Sequence, residues 1–461
     1  MKPAATEVEG ASVTGGGGVA YSAPTPSSSS SSTTGGRSPR CYNLSDFDVG
    51  TTLGIGAFGR VYFAVDKKYS HDEKEQDDGI DCRHQYDRYN SGAPDARTSR
   101  PRGPVVALKS LKKRRLIRQN QTKQAWCERI LLSRLRHPFL VRLYGVFQSP
   151  RCVYFVLEFV RGGEFFFFLR QRERLSVDAC RFYAGCIVSA FEYLHREAIV
   201  YRDLKPENVL IAQDGYLKLA DFGAAKLLDQ HVDLAQPQVA DVRPLQVGFA
   251  ADNSSNGNHV DLPDQHVNNE TLPRTRSFVG TPEYIAPEIL LNKGHGVPVD
   301  WWCLGVFLYE MLTGQPPIRE DDPNDGMLPT NGVGAGGGAA QHLHSQPYPM
   351  SIYQKLLGRS KIAFPAYLHD KKPARDIIRK LLVADPSRRA DHRVLKRHAF
   401  FVMGHDAYTF FDSLLQKEIP PPYIPTLKNE HDTSNFEYYS DSEDSVDLQG
   451  TNVEDDPFAE W

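Results

Sequence analysis

Residues 201–208 read YRDLKPEN, and thirteen residues after Asn208 comes Asp221-Phe222-Gly223. This spacing gathers groups suited to one chemistry. Asp203 can orient a hydroxyl or accept its proton, and Lys205 can neutralise charge on a transferring phosphoryl group. Asn208 and Asp221 offer hard oxygen ligands of the kind Mg²⁺ takes while it keeps others on a nucleotide. Any one of these residues alone is more simply a turn or cap residue. In this order they predict phosphoryl transfer.

Distant residues extend the set. Gly54-Ile55-Gly56-Ala57-Phe58-Gly59-Arg60-Val61 follows an apolar start and leads into β-branched and aromatic residues. A dinucleotide fingerprint would open a helix here, so the run predicts a hairpin lid whose backbone N–H groups approach phosphate oxygens. Glycine also suits an ordinary turn, which keeps the motif weak by itself. Lys109 ends the apolar run VVAL, and Glu128 lies in a stretch of helical periodicity over 121–135. A strand lysine paired with a helix glutamate would aim an ammonium at the α- and β-phosphates. Separately, each is better read as a solvated charge.

These residues need a scaffold. Net charge is −3 and 40% of residues are hydrophobic, so the chain can bury a sizeable core and carries no global basic field for nucleic acid. Seven scattered cysteines lack metal-ligand spacing and predict reduced thiols, in the cytosol or nucleus. Cys127 and Cys303 sit in apolar helical contexts and predict buried packing residues. Neither a secretory leader nor a membrane span is expected. Residues 1–42 are of low complexity, and three segments near 68–103, 229–273 and 320–349 read as mobile surface insertions. Strands are expected at 61–65, 105–108 and 153–158. Helices are expected at 121–135, 177–195 and 299–312, the last apolar nearly all round. Strands first and helices later predict an α+β fold with a small β-rich lobe and a larger helical one. Of the run Phe165-Phe166-Phe167-Phe168, at least one ring is expected to be exposed.

With GTPEYIAPE at 280–288, DWWCLGVFLYEML at 300–312, DTSNF at 432–436 and FAEW at 458–461, the chain resembles the eukaryotic protein kinases. It is most similar to the AGC group and to cyclic-AMP-dependent kinases. The resemblance implies a bilobal kinase domain over 43–401, an AGC-type tail over 402–461, and transfer of the ATP γ-phosphoryl group to serine or threonine with Mg²⁺. It implies that Leu53, Gly54, Gly56, Ala57, Phe58, Gly59, Val61, Ala107, Lys109, Leu157, Glu158, Val160, Glu164, Leu210 and Phe436 bind the nucleotide. Leu157 would be the gatekeeper and 158–160 the adenine hinge. Catalysis would fall to Asp203, Lys205, Lys109 and Glu128, with metal on Asn208 and Asp221.

The same resemblance places an activating phosphate on Ser277, added by an upstream kinase and paired with Arg202 and Lys226. Glu288 would pair with Arg389, and Asp300 would anchor the catalytic loop. Thr281 would lie beside the acceptor, and Glu164, Glu207 and Glu310 would read upstream arginines. The implied partners are proteins with Arg-Arg-x-Ser/Thr-hydrophobic sites. Phe458 and Trp461 would dock on the small lobe, with the terminal carboxylate near Lys113 in the basic run 112–115. That run is otherwise a solvated face. A scaffold that keeps the fold without catalysis is the non-enzymatic alternative, but it would require loss of residues that are all present. Two departures bear on regulation. Arg276 replaces a tryptophan that packs on a regulatory subunit, which argues against that partner, and Gln124 replaces a histidine that contacts the activating phosphate.

Overall fold

The structure, a computed structural model, describes residues 42–68, 103–228, 275, 281–318, 362–402, 407–439 and 456–461. Ser277, Arg276 and nearly all of the three candidate insertions lie outside the described residues.

The first strands are β1 (Phe47–Ile55), β2 (Gly59–Asp66) and β3 (Val105–Lys112). Helices α1 (Lys113–Arg118) and α2 (Thr122–Arg134) follow, then strands β4 (Leu143–Gln148) and β5 (Cys152–Glu158). The five strands form one antiparallel sheet in the order β1-β2-β3-β5-β4. Alternation along β3 explains its two faces. Val106 and Leu108 pack with Tyr42, Phe47 and Val156, whereas Ala107 packs with Leu53, Phe63 and Phe159. Lys109, two residues beyond Ala107, shares the second face. Where the chain leaves β2 and returns to β3, Asp66 N donates to Pro104 O at 3.0 Å. The candidate insertion therefore starts and ends at one point of a hairpin.

The helical part holds α3 (Phe165–Arg172), α4 (Val177–Arg196), α5 (Pro298–Thr313), α6 (Lys372–Leu381) and α7 (Ala407–Leu415). Ser176 caps α4, its hydroxyl accepting from Ala179 N at 3.2 Å, and most of the helix is buried in the core. Helix α5 is buried nearly all round, as its composition predicts. Two short ladders lie between α4 and α5 in the chain. One pairs β6 (Ile199–Val200) with β9 (Lys226–Leu227), and the other pairs β7 (Val209–Ile211) with β8 (Leu217–Leu219). They carry the residues of chemical interest on their connecting loops. The four-phenylalanine run departs from expectation. Phe165 is buried and the other three are half-buried, because Phe168 stacks on Tyr423 at 4.7 Å and Phe166 lies under the Arg170 guanidinium.

Candidate active site

Three charged side chains meet between the sheet and the loops. Lys109 Nζ on β3 donates to Glu128 Oε1 on α2 at 2.7 Å and to Asp221 Oδ1 at 2.9 Å. Burial pulls the Lys109 pKa down, but the two carboxylates outweigh it and hold the ammonium well above its ordinary value. Burial pushes Glu128 up against the pull of Lys109, while the Lys109 ammonium holds Asp221 below the usual carboxylate range. The set joins a strand, a helix and a loop.

The loop after β6 is fixed from below. Asp300 on α5 is fully buried and accepts from Tyr201 N at 2.9 Å and Arg202 N at 2.7 Å, with His195 Nε2 at 2.7 Å. This clamp holds Arg202 at φ +69°, left-handed backbone uncommon outside glycine. Asp203 then projects beside Lys205, whose Nζ lies 3.0 Å from Asp203 Oδ2 and 3.0 Å from Thr281 Oγ1. The Thr281 hydroxyl donates to Asp203 Oδ1 at 3.4 Å. Asn208 Nδ2 donates to Asp203 Oδ2 at 2.7 Å and to Asp203 O at 2.8 Å. Burial raises the Asp203 pKa, opposed by Lys205 and Asn208. The result is a carboxylate positioned by three neighbours.

The donor set fits a hard divalent cation. Asn208 spends its amide nitrogen on Asp203, which leaves its oxygen available to a cation. Lys109 Nζ and Gly223 N both donate to Asp221 Oδ1, and the side chain is 51% exposed. Among the described residues no group of three or more His, Cys, Asp and Glu could hold a metal. Two protein ligands suit Mg²⁺, which usually keeps waters and substrate phosphates.

Apolar side chains line the cleft above. Leu53, Val61, Ala107 and Phe436 belong to one apolar cluster, and Val141, Val160, Leu210 and Ala220 to another. Leu157 touches both, so it joins roof to floor. In the glycine-rich hairpin a Cβ on Gly54 would meet nothing within 4 Å, and one on Gly56 only Gly59 O at 3.8 Å. These two glycines leave open space under the lid. Gly59 differs: a Cβ there would lie 1.7 Å from Ser110 O, so sheet packing by itself already requires glycine. Ala57 and Phe58 form the tip. Phe436 stacks on Phe159 at 5.5 Å, and the tail crosses so close to Gly163 (φ +76°) that a Cβ there would lie 2.0 Å from Asn435 O.

At the mouth, Glu164 has its pKa pushed up to about 7 by burial and by the charges of Glu207 and Glu437. Glu310 is buried, with Arg170 Nη2 donating to Oε1 at 2.8 Å and the Tyr284 hydroxyl to Oε2 at 2.6 Å. Burial raises its pKa, and Glu207 adds to the rise.

Phe458 is buried and Trp461 packs on Phe155 at 5.2 Å and Trp126 at 5.1 Å. The Arg129 guanidinium lies over the Trp126 and Trp461 rings. The basic run is not a solvated face throughout: Lys113 is 1% exposed and donates to Asp456 Oδ2 at 2.5 Å and Gln148 Oε1 at 2.6 Å. Its anionic partner is Asp456. A buried ammonium needs such a fixed anion. Of the cations expected to hold a phosphate, Arg202 Nε donates to Ala224 O at 2.8 Å and Lys226 Nζ to Thr275 Oγ1 at 2.7 Å. Burial pushes the Cys127 and Cys303 thiols up, which disfavours nucleophilic roles.

Comparison with known proteins agrees with this geometry. The protein kinase domain model matches residues 95–243 and 257–401. The human cAMP-dependent protein kinase catalytic subunit PRKX is 33% identical over 407 residues, 88% of this chain and 84% of that protein. The cAMP-dependent protein kinase catalytic subunit of Dictyostelium discoideum is 34% identical over 77% of this chain and 44% of that protein. Serine/threonine-protein kinase sgk-1 of Caenorhabditis elegans is 32% identical over 88% of this chain and 64% of that protein. The chain belongs to the protein kinase family and, within it, to the AGC-group serine/threonine kinases. The domain match starts only at residue 95, yet β1 and β2 lie in the same sheet as β3. Among the described residues no helix is long and apolar enough to cross a membrane.

Sequence reasoning did not single out Trp126, Arg129, Arg170 or Glu437. Trp126 and Arg129 lie three apart on a helix, a spacing that marks a shared face, but nothing local says what covers it.

Proposed function

We propose that this kinase transfers the γ-phosphoryl group of ATP to serine or threonine preceded by arginines, with Asp203, Lys205, Lys109 and Glu128 as its catalytic set. The observation that carries the reading is the pairing of two sites across one cleft. Lys109, Glu128 and Asp221 lie on one side, and Asp203, Lys205 and Thr281 on the other. Asp203 orients the acceptor hydroxyl and takes its proton as the oxygen–phosphorus bond forms and the β–γ bridge opens. Lys205 balances charge on the phosphoryl oxygens, and Lys109 holds the α- and β-phosphates. Asn208 and Asp221 hold Mg²⁺, which neutralises charge on the phosphates when bound.

Substrate choice follows from the acidic mouth. Glu207 acts electrostatically on both Glu164 and Glu310, so a guanidinium placed among them meets concentrated negative charge. Binding arginine favours ionised Glu164, whose pKa in the free enzyme is about 7. Affinity is therefore full above that pH and falls as pH drops through it. The KM for an arginine-containing peptide should rise between pH 8 and pH 6, and Glu164→Gln should flatten the profile. An equally steep rise in the Gln variant would remove Glu164 from recognition.

The activating phosphate is assigned to Ser277, two residues after Thr275, because Lys226 Nζ reaches Thr275 and Arg202 reaches His295, whose backbone pairs with Thr275. Ser277→Ala should be strongly impaired. Mass spectrometry of fully active enzyme showing Ser277 unmodified would contradict the assignment. Regulation by cyclic AMP is not part of this reading, given Arg276.

A further inference from the structure

Helix α2 presents Gln124 and Glu128 four residues apart, on one face. Glu128 reaches Lys109 at 2.7 Å. Gln124 Nε2 donates to Gly223 O at 2.5 Å and to Ala225 O at 3.3 Å. Cys127 Sγ lies 3.9 Å from the same Ala225 O. Both partners of the Gln124 amide are carbonyl oxygens, so only its nitrogen can face them and the amide orientation is fixed by chemistry. The helix thus grips the backbone just after Asp221, while Lys109 joins Glu128 to Asp221 itself. The space is tight, since a Cβ on Gly223 would lie 3.0 Å from Asp221 Oδ1.

We propose that Gln124 is a positioning residue that latches α2 to the metal-binding segment through a neutral amide. It keeps Glu128 and Asp221 within reach of one ammonium. The latch needs no phosphate, because both acceptors are main-chain oxygens. Breaking it frees α2 to move away from Asp221, so the Lys109–Glu128 pair forms in only part of the population. The rate of the chemical step should fall, while peptide binding at the distant acidic mouth should not change. The inference rests on the reading of Lys109, Glu128 and Asp221 as a catalytic set.

The test uses four variants of the full-length enzyme under steady-state conditions. Gln124→Met has similar length and no donor; Gln124→His restores an N–H at a similar reach. The expected result is a fall in kcat of roughly tenfold or more for Gln124→Met, the peptide KM unchanged. Gln124→His should stay within about threefold of wild type. Wild-type kcat in Gln124→Met, or equal losses in both, overturns the proposal. If Gln124→Met fails to fold, Gln124→Glu decides: isosteric and donor-free, it should lose kcat, and wild-type turnover overturns the latch. Lys109→Met is assayed in parallel. An active Lys109→Met would defeat the catalytic reading itself, whereas an inactive one beside an unaffected Gln124→Met defeats only the latch.

Discussion

Lys109→Met and Asp203→Ala should each lower phosphorylation of a basic peptide by roughly 10²–10⁴-fold while leaving the fold intact. The reasons differ. Lys109 is the cation shared by Glu128 and Asp221, at 2.7 and 2.9 Å. A methionine there leaves two carboxylates facing each other across the phosphate site, with no charge to hold phosphate oxygens. Asp203 lies 3.4 Å from Thr281 Oγ1 and 3.0 Å from Lys205 Nζ. Its loss removes the group that orients the acceptor hydroxyl and leaves Lys205 to bind phosphate without a base nearby. Phosphoryl transfer is mostly positioning and charge stabilisation, so either loss falls on kcat. Circular dichroism should be unchanged, and turnover within an order of magnitude of wild type in either variant would contradict the assignment.

A second large effect concerns stability. Arg389 Nη1 and Nη2 donate to Glu288 Oε1 and Oε2 at 2.6 and 2.9 Å, a two-pronged pair that is almost wholly buried. The guanidinium also donates to Val383 O and Pro298 O and lies over the Trp302 ring. Glu288→Ala strands this cation inside the helical part, at a cost of about 3–5 kcal/mol. Replacing both partners, as Glu288→Leu with Arg389→Met, should recover much of the loss, because no charge is then left buried. Denaturant midpoints of the two variants measure the difference. A single variant as stable as wild type would mean that the pair contributes nothing to folding.

The parts of the site that lie on short, contiguous segments were legible in the sequence. Asp203, Lys205, Asn208 and Asp221 occupy loops between ladders of two or three residues, so chain order almost dictates their proximity. Lys109 and Glu128 were legible because a strand and a helix that follows it closely leave few ways to meet. Long-range contacts were not. Lys113 and Asp456 are 343 residues apart, and nothing around Lys113 distinguishes a buried lysine from its exposed neighbours. The Phe165–Phe168 run misled because helix periodicity ignores the later chain, and Tyr423 arrives from the tail to cover Phe168. For Gly59, what was not legible is the close approach of Ser110 on β3, which leaves no room for a Cβ.

The most direct test of the account is a positional-scanning peptide library phosphorylated by the purified wild-type enzyme with ATP and Mg²⁺, with Lys109→Met as control. The account predicts phosphate on serine or threonine, selection for arginine upstream of it, a hydrophobic residue after it, and no signal from the control. Transfer without upstream arginine selection, a preference for proline after the acceptor, or full activity in the control would contradict it.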